Sequence, residues 1–289
     1  MAFALLAIVP TAAVGYLAYD SGKRAIELQT MNHLVSTNLL KSSELNRWIE
    51  DNERSLEELA QRPLVREYTA ELATHNTSEP TYIEAHRSLI EEHFKPRLQK
   101  AGGFTELFVL CPIHGIILAS NDDKQEGKYR DAELYFIEGR SDSYVQGVYY
   151  SIALEEPAMT ISTPIKDTQG NLIAVLAGRL DLGELSTIIS LQTGMSQTED
   201  TYLVNAANFF VTEPRFGQDY ALKKAARTEG VEAALSGNDG VGYYDDYRGV
   251  PVIGAYNWLP KYNLVILTEV DVSEAFGPVV RLNQTTTVI

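Results

Sequence analysis

The stretch GVYYSIALEEPAMTISTPIKDTQGNLIAVLAGRLDL, residues 147–182, decides the fold, because a second version of it occurs later in the same chain. VGYYDDYRGVPVIGAYNWL (241–259) lies over its first half, with Tyr149 and Tyr150 on Tyr243 and Tyr244 and Pro157 on Pro251. NLVILTEVDV (263–272) repeats the pattern of NLIAVLAGRLDL (171–182). Upstream, TELFVLC and HGIILAS (within 105–120) are matched by DTYLVN and NFFVTEP (within 200–214). These segments are apolar runs or alternations bounded by turn signals such as KDTQGN (166–171), which is the pattern of strands and hairpins. Three matches in one order point to two copies of one module. The expected class is α/β of the α+β kind: a long N-terminal helix followed by two tandem modules with antiparallel sheets.

Residues 2–19 (AFALLAIVPTAAVGYLAY) hold no charge, the lower limit for a spanning helix, and Tyr16 and Tyr19 sit where interfacial aromatics sit. Residues 1–22 are therefore expected to anchor the chain in a membrane. Lys23 and Arg24 follow this segment and no basic side chain precedes it, an arrangement that conflicts with an outward-facing remainder. Over residues 23–62, Met31, Val35, Asn38, Ser42, Leu45, Ile49, Asn52, Leu56 and Leu59 recur in alternating steps of four and three. That seam predicts a stalk helix roughly 60 Å long, pairing with a second copy of the chain in its lower half and packing locally in its upper half. Pro63 ends it. The first module is expected over 63–190, beginning with helices broken at HNTSEP (75–80), and the second over 191–276. Residues 277–289 are expected to lead as a helix towards a second span that lies outside the sequence.

The chain carries 39 acidic against 24 basic residues, a net charge of −15. Such a surface repels a phosphate backbone, so nucleic acid is excluded as a partner. The single cysteine, Cys111, allows no internal disulfide. Five histidines without tight spacing point to no metal site, and His86 and His93 read as solvated helix positions. No nucleophile–base motif, zinc-binding helix motif or phosphate loop occurs, so neither catalysis nor a cofactor is expected.

ELYF (133–136), residues 148–182, TYLVN (201–205) and DYRGVPVIGAYNWLP (246–260), taken in order, resemble the double Cache domain. This is a tandem PAS-like sensor found outside the cytoplasmic membrane in histidine kinases, chemoreceptors and diguanylate cyclases. The resemblance implies a non-enzymatic sensor on the outer side of the cell (inner) membrane. It would bind a small molecule in the membrane-distal module and relay a helix displacement to an output domain. A structural or adhesive ectodomain without a ligand is the alternative.

In amino-acid-binding members an arginine two residues before an aromatic pair grips the ligand carboxylate, and an acid on a later strand holds the ammonium. The resemblance puts Glu133 and Arg179 at those two positions, so the charges are reversed. Tyr135 and Phe136 keep the aromatic pair, and Tyr150 falls on a later tyrosine. With Tyr129 and Ser151 beside them, these are the expected contacts to a carboxylate or an amine. The competing arrangement is an ion pair between Glu133 and Arg179. Tyr149 is expected to point to the opposite face from Tyr150 and to pack. Tyr202, Tyr244, Asp246 and Arg248 occupy the related places in the second module.

Overall fold

The computed structural model describes the backbone of residues 2–99, 103–191 and 196–277, with side chains from residue 14 onward. α1 (Ala2–Ala60) precedes α2 (Pro63–Leu72), α3 (Pro80–Ser88), a π-helical segment (Leu89–Phe94) and α4 (Lys95–Leu98). Proline stands in the first turn of α2 and of α3, where a missing N–H leaves no bond unmade. Strands β1 (Phe104–Leu110), β2 (Ile117–Ser120), β3 (Tyr144–Ser151), β4 (Glu156–Lys166) and β5 (Leu172–Leu180) form an antiparallel sheet in the order β2-β1-β5-β4-β3. α5 (Leu134–Gly139) precedes β3, and α6 (Leu182–Ser190) follows β5. The second sheet takes β6 (Asp200–Asn205), β7 (Gly240–Asp245), β8 (Pro251–Leu259) and β9 (Leu264–Asp271) in the order β6-β9-β8-β7. α7 (Glu229–Leu235) lies between β6 and β7, and α8 (Val272–Ala275) follows β9.

The chain divides into two compact units. Met1–Ser42, Ile189–Leu259 and Leu264–Ile289 make up one, and Ser43–Ile188 with Pro260–Asn263 the other. In the five-stranded unit, Phe108, Leu110, Val175 and Ala177 share one sheet face, which Tyr135 and Phe136 of α5 cover. The intervening residues Leu107, Val109 and Leu176 are buried on the other face, the side of α2 and α4, which lie against β5 and β1. In the four-stranded unit, Tyr202, Val204, Val265 and Leu267 form the covered face together with Val231 and Ala234 of α7.

The two sheets repeat one another with two departures. The NFFVTEP segment forms no strand: Phe209 and Phe210 make only isolated bridges, to Ala225 and Val204. The tyrosine pairs are also offset by one. Pro157 pairs with Tyr150, whereas Pro251 pairs with Asp245, because the connection in the second copy is one residue shorter. Tyr149 therefore corresponds to Tyr244, and both turn inward while Tyr150 and Tyr243 are exposed.

Seven of the nine seam residues on α1, from Asn38 to Leu59, are buried within their own chain. In the lower half Met31 and Val35 pack with Leu34 against Ile253, Ala255 and Val270. Asn38 Nδ2 donates to the Ala255 and Ile266 carbonyls and to Thr268 Oγ1 at 3.1–3.3 Å. That corrects the expected use of the lower seam between subunits: β8 and β9 of the same chain occupy it. The anchor expected over residues 1–22 falls largely on 1–13, whose side chains lie outside the described residues, as does the expected helix beyond 277. Among the described residues no helix is long and apolar enough to cross a membrane.

Candidate functional site

The covered face of the five-stranded sheet carries a row of polar side chains. β1 and β5 pair so that Glu106 stands opposite Arg179, and β4 places Thr160 on the other side of Arg179. Arg179 Nη1 donates to Glu106 Oε2, and both residues are buried. Ser120 Oγ on β2 donates to Glu106 Oε1 at 2.8 Å. At the other end the Tyr149 hydroxyl meets Thr160 Oγ1 at 3.0 Å. The Tyr149 ring lies 6.5 Å from that of Tyr135, and Tyr135 stands edge-on to Phe108 at 5.9 Å. The Arg179 guanidinium covers Phe108 at 5.3 Å, leaving Arg179 Nε without a protein partner. Burial pushes the Glu106 carboxyl up against the pull of Arg179, and raises the Tyr135 and Tyr149 hydroxyls. The arrangement offers a cation with a spare donor, an acid and two tyrosines on one desolvated surface.

Of the residues picked from the sequence, the fold brings Tyr135, Phe136 and Arg179 to this face. Glu133 stands at the N-cap position of α5 without a side-chain cap bond and acts on both tyrosines electrostatically. It does not pair with Arg179, whose partner is Glu106; strand register fixes that choice. Tyr150 is 54% exposed and Tyr129 62% exposed, while Ser151 is buried at the end of β3. Tyr149, Glu106, Thr160 and Ser120 join this face and are not among the expected contacts. Glu106 had a legible signal, as the one charge on the inward-facing alternation Glu106, Phe108, Leu110.

His86 and His93 also differ from the solvated reading. His86 Nε2 meets Glu126 Oε1 at 2.8 Å, and this bond raises the pKa of His86. His93 is buried, and desolvation lowers its pKa.

The four-stranded sheet has a related position. β6 and β9 pair Asp200 with Glu269 as β1 and β5 pair Glu106 with Arg179. Glu269 Oε1 accepts from the Tyr202 hydroxyl at 2.9 Å, and burial pushes its carboxyl up to about 8. Tyr244 Oη faces the same carboxyl, but neither it nor Glu269 Oε2 forms a bond of good geometry. Gly254 and Gly230 make room for this ring: a Cβ on either would fall within 2.6 Å of it. Asp246 and Arg248 instead hold a turn, in which Asp246 accepts from the backbone of Arg248 and Val250 and Arg248 bridges to Asp271. A cavity of about 90 Å3 lies beside Asp200, with Lys41, Glu199 and Arg215 among its walls.

A family profile described as Cache domain matches residues 19–279. No curated protein sequence matches the chain. Among solved structures, the ligand-binding domain of the Pseudomonas fluorescens chemoreceptor CtaA in complex with L-leucine is 19% identical, over 88% of this chain and 99% of that one, with a TM-score of 0.58. The sensor domain of the V. cholerae histidine kinase DctB is 10% identical, over 84% of this chain and 98% of that one, with a TM-score of 0.64. The ligand-binding domain of the Pseudomonas aeruginosa amino-acid chemoreceptor PctC in complex with GABA is 19% identical, over 84% of this chain and all of that one, with a TM-score of 0.57. At such identities the likeness is one of fold.

Proposed function

The chain belongs to the Cache-domain family, a family of sensor domains, and from that premise we propose that it is the extracytoplasmic ligand-sensing part of a membrane receptor. Its ligand is a small molecule carrying a carboxylate or an amine, bound in the five-stranded module, which stands distal to the membrane. The observation that carries this reading is the buried Glu106–Arg179 pair beside Tyr135 and Tyr149. Buried charges need fixed partners, and a site that pairs them at a desolvated aromatic wall can exchange part of that pairing for a ligand's own charge. The chemoreceptor domains of similar fold were solved with L-leucine and with GABA, each of which carries both groups. Ligand binding shifts the population of module conformations. α1 carries the displacement towards the residue 1–22 anchor, paired with a second copy of the chain.

A thermal-shift screen of carboxylates, amino acids and amines tests the ligand. A ligand at a hundredfold excess over its Kd stabilises by about 2.7 kcal/mol, a shift of a few degrees. The shift should vanish in the double variant Glu106→Gln/Arg179→Gln, which removes both charges without stranding one. A screen in which no compound moves the melting point sinks the proposal.

A further inference from the structure

We propose that Arg62, Arg66 and Thr69 on α2, together with His93 and Arg97, bind a small oxyanion: a carboxylate, sulfate or phosphate. Positions 62, 66 and 69 fall at helical spacing on one face of α2 and its cap. His93 and Arg97 are four apart on the segment that packs against α2. The Tyr68 ring rests on the His93 ring at 5.9 Å, which fixes the two helices face to face at this level. Burial lowers the pKa of both His93 and Arg97, and Arg62 is close enough to add to it.

Two observations mark this place out. Among the described residues, nine buried side-chain nitrogen or oxygen atoms have no protein partner. Five of them are here: Arg66 Nε, Thr69 Oγ1, both ring nitrogens of His93, and Arg97 Nε. All but one of the His93 nitrogens can donate, so the set asks for an acceptor. The second observation is the π-helical segment Leu89–Phe94 itself. A π turn inserts one residue and rotates the helix beyond it by about 100°. His93 lies within this segment and is buried. Such turns are rare and gather at functional sites.

The charge balance is also unusual for this chain. The protein is strongly acidic, yet α2 with its cap and the segments beside it carry three guanidiniums and an imidazole at this level. Glu58 acts on Arg97 and Glu92 on His93. Among the described residues no ion pair neutralises Arg62, Arg66 or Arg97, while Arg97 stacks over Phe104 at 5.9 Å. Guanidinium forks match the paired oxygens of an oxyanion. This place lies on the α2 side of the five-stranded sheet, the face opposite Arg179, so the two sites stand or fall separately.

The test is a titration of the whole chain at pH 7 with inorganic phosphate, with sulfate and with succinate, at fixed ionic strength in chloride. Calorimetry reads binding, and the His93 imidazole resonance, assigned with His93→Gln, reads its place. At least one anion should bind saturably, shift that resonance and raise the pKa of His93, since a neighbouring negative charge favours the imidazolium. Arg66→Gln and Arg97→Gln should each weaken binding roughly tenfold or more. The proposal is overturned if none of the three anions moves His93, or if both variants bind as tightly as the native chain. Should a variant not fold, the titration of the native chain decides.

Discussion

A carboxyl group taken out of water holds its proton longer, and in this chain Glu269 does so most plainly. Burial lifts it from 4.5 to about 8, although the Tyr202 and Tyr244 hydroxyls pull the other way. The folded state therefore binds a proton that the unfolded state releases above about pH 4.5, and stability falls as pH rises from there to about 8. The loss is on the order of a few kcal/mol, less if water enters. Glu269→Gln keeps the acceptor for Tyr202 and cannot ionise, so its urea-denaturation stability should lose less than the native chain between pH 5.5 and 8. Parallel pH profiles would show that Glu269 is already ionised in the fold. Arg179 obeys the complementary rule. Removing it alone strands Glu106, so Arg179→Met should cost about 3–5 kcal/mol, and Glu106→Gln/Arg179→Met should recover much of that. An additive cycle would mean that the pair is not coupled. The reversed charge at Arg179 was legible in the sequence because its strand tail matches a family pattern. Glu106 showed as an inward-facing charge, but its pairing did not, since only the register of β1 on β5 chooses Glu106 over Glu133.

At the scale of elements, the α1 seam shows how a heptad pattern can be read correctly and assigned to the wrong neighbour. Periodicity reports which face is covered, not which chain covers it. Its two asparagines differ in what they hold. Asn38 bonds across to strands β8 and β9, while among the described residues Asn52 bonds to the Trp48 carbonyl one turn back. Asn38→Ala should therefore cost about 2 kcal/mol by leaving buried carbonyls short of a donor, and Asn52→Ala well under that. The two tryptophans allow each effect to be placed: Trp258 belongs to the unit of Asn38 and Trp48 to the unit of Asn52. Fluorescence of each, with the other tryptophan replaced by phenylalanine, should register only its own substitution. Equal costs in both places would show that the cross-strand bonds contribute nothing. The strands were largely legible, because apolar runs between turns leave few options. The second hairpin was not, because Phe210 spends its side chain on Tyr202, Tyr220 and Tyr247 in a long loop instead of pairing along a strand.

For the molecule as a whole, α1 can pair two copies only through the surface that its own sheets leave open. With the original seam turned inward, an exposed row remains on the same helix: Ala25, Leu28, Asn32 and Leu39, in steps of three, four and seven. Leu28 is 61% exposed and Leu39 54% exposed, so both leucines of this row are open to a partner. An asparagine within such a seam favours one register of pairing at some loss of stability. Two copies each carrying a charge of −15 repel one another, and salt screens that repulsion over about 8 Å at physiological strength. The association should therefore be weak at low salt and should strengthen as salt is added, opposite to an interface held by ion pairs. Leu28→Glu/Leu39→Glu puts a charge at each end of the apolar stretch and should leave the chain monomeric at every salt concentration. Sedimentation velocity across a concentration and salt series measures this. A native chain that stays monomeric at high salt, or a double variant that associates equally well, would remove α1 as the pairing surface.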